Sequence, residues 1–86
     1  MPEICRFCSI IIKMYYDDHA PPHFHAEYQG KKAMFSIATG KKIKGEIPKK
    51  QAVLVSAWAV LRKKELMAAW QSVISEKTPD KIAPLK

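Results

Sequence analysis

The residues best suited to chemistry are the three histidines, His19, His23 and His25, which gather beside Asp17, Asp18 and Glu27. On an extended strand, residues two apart share a face, so His23 and His25 stand side by side with Cα atoms about 6.6 Å apart. Two imidazoles at that spacing can reach one divalent metal such as zinc, with His19 or Asp17 completing the shell from the preceding loop. Glu27 is less well placed, about 13 Å from His23 along the strand. His23 and His25 are also the candidate catalytic residues, because imidazole transfers protons near neutral pH. No obvious nucleophile or second catalytic group announces itself beside them. The same pair can instead serve structure, by hydrogen-bonding Asp17 or Asp18 and holding the loop.

Cys5 and Cys8 have the spacing of half a zinc site or of a redox pair. A strand turns positions three apart to opposite faces, which spoils chelation. A redox pair is better served by a helix N-terminus, where thiolate is stabilised. Packing is the simpler role for both.

The lysines form a third group. Residues 31–64 carry ten Lys or Arg against the single Glu46, a net +9 within a chain whose total is +7. Lys31, Lys32, Lys41, Lys42 and Lys44 are expected to collect around one end of a hairpin, with Lys49 and Lys50 in the first turn of the following helix. The helix dipole disfavours cations there. Such a patch suits nucleic acid, an anionic surface or an acidic protein. No helix-turn-helix or zinc-finger pattern points to base-specific readout.

The elements that must position these groups follow from periodicity. Positions 4–16 alternate, with Cys8, Ile10, Ile12, Met14 and Tyr16 forming one apolar face, and predict a long strand. Pro21 and Pro22 end it in a stiff loop. Alternation resumes over 23–28, turns at Gln29-Gly30 and returns over 32–37. A basic edge strand is expected over 42–45. From Pro48 the period becomes helical. Val53, Leu54, Ala57, Trp58 and Leu61 cluster on one face, whereas Leu66, Met67, Trp70, Val73 and Ile74 cluster nearly opposite. A straight rod cannot bury both, so a break near Arg62–Lys64 is predicted, giving helices over about 48–62 and 64–76. The expected fold is α+β: an antiparallel sheet of three to four strands, with two C-terminal helices on one face. Residues 1–86 are expected to make a single domain with an extended tail, 78–86, docking through Ile82 and Leu85.

Composition sets outer limits. With 86 residues, 48% of them hydrophobic and 27% charged, the chain is globular but its core is small. No apolar run is long enough to span a membrane. Two closely spaced cysteines and no recognisable leader suit the cytoplasm.

Three segments together, Met1-Pro2-Glu3-Ile4, Met14-Tyr15-Tyr16-Asp17-Asp18-His19 and Pro21-Pro22-His23-Phe24-His25-Ala26-Glu27-Tyr28, resemble the bacterial family catalogued as domain of unknown function 4160. Leu66 and Trp70 resemble its closing helix. Cys5 and Cys8 are not part of the pattern. The resemblance implies a small stand-alone prokaryotic protein, often encoded beside another small domain, with some members in toxin–antitoxin-type or regulatory gene pairs. It implies no reaction.

The residues therefore leave three functions open. The leading one is a non-enzymatic binding or regulatory module whose basic hairpin and first helix contact an acidic partner, either nucleic acid or a cognate small protein. The second is a metal- or histidine-dependent, nuclease-like enzyme using His23 and His25. The third is a structural subunit that joins a partner by edge-strand pairing. Oligomeric state is not fixed by the sequence.

Overall fold

A computed structural model describes residues 3–16 and 19–85. Five antiparallel strands, β1 (Glu3–Phe7), β2 (Ile10–Lys13), β3 (His23–Tyr28), β4 (Lys31–Ser36) and β5 (Lys42–Gly45), lie in the order β1-β2-β3-β4-β5. Two helices follow, α1 (Lys49–Leu61) and α2 (Lys63–Ile74). The α+β class and the strands-then-helices order match expectation.

The predicted strand over 4–16 is instead a hairpin, which raises the strand count to five. Cys8 and Ser9 take φ of 50° and 63°, and Phe7 pairs with Ile10 across them. Positive φ at both central residues gives the two-residue turn that matches strand twist. Phe7 and Ile10 consequently both face the core, which continuous alternation would forbid. The β3–β4 turn has the same geometry at Gln29 and Gly30, with Tyr28 paired to Lys31.

One sheet face is built from Ile10, Ile12, Phe24, Ala26, Ala33 and Phe35, all buried. Phe24 stacks on Phe35 across β3 and β4, and Trp58 of α1 meets Phe24 edge-on at 5.7 Å and Phe7 at 5.6 Å. α2 adds Leu66, Ala69, Trp70 and Val73 to the same core. Ile82 and Leu85 of the tail also pack on it. The Trp58 indole donates to the Ala83 carbonyl at 2.8 Å, and Ile82 N–H donates to the Ile4 carbonyl on the outer edge of β1.

β5 is the other edge. Gly45 there has φ +80°, and a Cβ on it would lie 2.4 Å from the Lys32 carbonyl oxygen. Only glycine lets β5 approach β4 so closely.

The break between the helices falls at Arg62, as expected near Arg62–Lys64. The buried face of α1, however, is Val55, Trp58 and Ala59. Val53, Ala57 and Leu61, expected inside, are exposed. Ile74 of the second set is exposed too, and Met67 is half-buried. Among the described residues no helix is long and apolar enough to cross a membrane.

Candidate functional site

His23 and His25 share the sheet face opposite Phe24, and their rings lie 5.1 Å apart in a T-shaped arrangement. They belong to a chain of rings. Tyr15 meets His25 edge-on at 4.5 Å, and Trp70 of α2 lies 5.2 Å from His23. His23 is only 6% exposed. Its Nδ1 sits 2.8 Å from the Pro21 carbonyl oxygen. A carbonyl only accepts, so Nδ1 carries the proton and donates it there. His25 is half-buried and lies opposite Lys13 and Met34.

His19 is exposed, while Asp17 and Asp18 lie outside the described residues. Among the described residues, no three His, Cys, Asp or Glu side chains form a group able to hold a metal ion.

The cysteines separate through the β1–β2 turn rather than through strand alternation, and only Cys5 has the packing role expected of both. Cys5 is buried in β1 and Cys8 is exposed in the turn, both as free thiols. Burial raises the Cys5 thiol above its ordinary pKa. At the start of the same strand, the Arg6 guanidinium hydrogen-bonds Glu3 at 2.8 Å and lowers the pKa of that carboxyl.

Lys31, Lys32, Lys41, Lys42, Lys44, Lys49 and Lys50 are all exposed. They do not gather at one hairpin end. The antiparallel register pairs Met34 with Lys44 and Phe35 with Lys42, so Lys41 and Lys42 lie near the turn and Lys31, Lys32 and Lys44 toward the other end. Lys42 is tied to Glu46 at 2.7 Å. Lys32 and Lys44 fall on the histidine face, diagonal to each other, at a separation of about 7 Å between Cα atoms. Glu27 lies opposite Lys32 in register, yet its carboxylate pairs with Lys13 at 3.2 Å. His25, Lys32, Ala33, Met34, Lys44 and Gly45 line a shallow, open depression of about 220 Å³.

Two features went unanticipated in the sequence. One is the ring contact from Tyr15 and Trp70 to the histidines. The other is an outward apolar stripe on α1, where Val53, Val60 and Leu61 are 59%, 68% and 58% exposed and Ala57 lies among them. Its signal was present: residues 52–61 are apolar throughout except Ser56, more than one buried face can use.

No curated protein and no solved structure matches the chain. A family model does match, over residues 9–71, and so covers all three histidines, the basic hairpin, α1 and most of α2. On that match the chain belongs to the family described as Domain of unknown function (DUF4160).

Proposed function

We propose that the chain is a non-enzymatic binding module whose first helix, with the basic β4–β5 hairpin beside it, holds an acidic protein partner. The observation that carries this is the outward stripe Val53, Ala57, Val60 and Leu61, spaced i, i+4, i+7 and i+8 along α1. A helix apolar on every side is normally covered on every side. Contiguous exposed apolar side chains mark a surface that another protein covers. Cations stand at both ends of the stripe, Lys49 and Lys50 in the first turn and Lys63 and Lys64 just past the last. The stripe would supply buried apolar area, and the lysines would steer and select an acidic partner.

Nucleic acid would gain from the lysines but little from branched aliphatic side chains, which offer no flat face to a base. A cognate small protein, the other half of a regulatory or toxin–antitoxin-type pair, suits the surface better. The histidine-dependent alternative has less support because His23 is buried beneath Trp70. Strand addition would use β5, whose lysines discourage edge pairing.

The test is purification of the full chain from the cell that makes it, as wild type and as the variants Val60→Glu and Leu61→Glu. Wild type should retain an acidic protein, and each variant should retain at least about tenfold less, as expected for loss of an apolar anchor. Retention should also weaken as salt rises. Equal retention by folded wild type and variants, or no acidic protein with either, overturns the proposal.

A further inference from the structure

We infer that the sheet face bearing His25, Lys32 and Lys44 is a second binding site, for a nucleoside phosphate, free or as a unit of a single strand. The site is the depression lined by His25, Lys32, Ala33, Met34, Lys44 and Gly45. Its volume of about 220 Å³ is below that of an enclosing ligand pocket, so a ligand there would stay partly in solvent.

Three kinds of group converge there. Met34 and the close backbone approach at Ala33 and Gly45 make an apolar floor. Lys32 and Lys44 flank that floor, and neither forms an ion pair with another described residue. The carboxylate opposite Lys32, that of Glu27, pairs with Lys13 instead. At the third side stands His25, whose ring makes a T-shaped contact with that of Tyr15. A flat half-buried ring, a thioether floor and two ammonium groups fit a ligand with a planar heterocycle at one end and phosphate at the other. The base would lie against His25 and Met34, and the phosphate between Lys32 and Lys44. A purely acidic peptide would engage the lysines but gain little from the ring.

This site shares no residue with the α1 stripe but takes Lys32 and Lys44 from the basic β4–β5 hairpin, so Leu61→Glu, which alters the stripe alone, is the variant that separates the two readings. The experiment is amide chemical-shift titration of the full chain with AMP, adenosine, inorganic phosphate and a single-stranded oligoadenylate of about eight nucleotides, within the usual span of such sites. AMP is expected to give saturable shifts at residues 25, 32, 34 and 44. Adenosine and phosphate should each bind at least about tenfold more weakly. Lys32→Glu or Lys44→Glu should weaken AMP binding about tenfold, binding should tighten as salt falls, and Leu61→Glu should change nothing. An oligomer binding about tenfold tighter than AMP identifies a single strand as the source, and equal affinity identifies the free nucleotide; both sustain the inference. It is overturned if neither probe gives saturable shifts at those residues. It is overturned also if Lys63→Glu weakens binding as much as Lys32→Glu, since that would mean diffuse charge attraction.

Discussion

Single side chains here owe their properties to which side of a strand they occupy. His23 and His25 point the same way from β3, yet Trp70 covers one and the other stays half-buried. Cys5 and Cys8 show the contrast in reactivity. Alkylation proceeds through the thiolate. Burial both shields Cys5 and raises its pKa, whereas Cys8 sits exposed in the turn. Iodoacetamide should therefore modify Cys8 promptly in the folded chain and Cys5 only slowly, with the Cys5 rate still climbing at pH values above the ordinary thiol range. Because the folded state holds the Cys5 proton more tightly than the unfolded chain, this group's contribution to stability is full below the unfolded pKa and is lost as pH rises through the folded one. Equal labelling of both cysteines, followed by mass spectrometry of the intact chain, would contradict the placement of Cys5.

At the scale of elements, turns and edges decide where these side chains end up. Gly45→Ala places a Cβ against the Lys32 carbonyl at positive φ, and should cost about 1–3 kcal/mol in urea unfolding. An unchanged midpoint would mean that β5 is not held to β4 at that point. Much at this level was legible in the residues. Gln29-Gly30 announces its turn through glycine, and the helix break at Arg62 follows from two apolar faces that no straight helix can bury. The histidine pair was legible for the same reason, since a period of two fixes its face. The β1–β2 turn was not. Cys8 and Ser9 adopt the positive φ usually given to Asn-Gly, and a run of apolar residues around a turn without glycine or proline looks like continuous strand. The buried face of α1 was also hidden. When nearly every residue from 52 to 61 is apolar, periodicity cannot say which side meets the sheet. The lysines scattered for a third reason: antiparallel pairing sends residues early and late in a hairpin to its two ends.

Across the whole molecule, the core lies between the sheet and the helices and leaves two chemically distinct outer surfaces. The sheet side carries rings and lysines around a shallow depression. The helix side carries an aliphatic stripe with lysines at both ends. Cysteines, histidines and the family match name no reaction, so the surfaces are where function is sought. That Val53, Val60 and Leu61 remain exposed while a core this small could use every apolar side chain is the central fact. The most direct measurement is contact itself: a photoreactive benzophenone side chain placed at Ala57, in the middle of the stripe, and irradiated in the cell that makes the protein. A crosslinked adduct with an acidic protein is predicted from Ala57 and not from the same probe at exposed Gln71 on α2. No adduct at Ala57, or equal adducts from both positions, would contradict a binding role for α1.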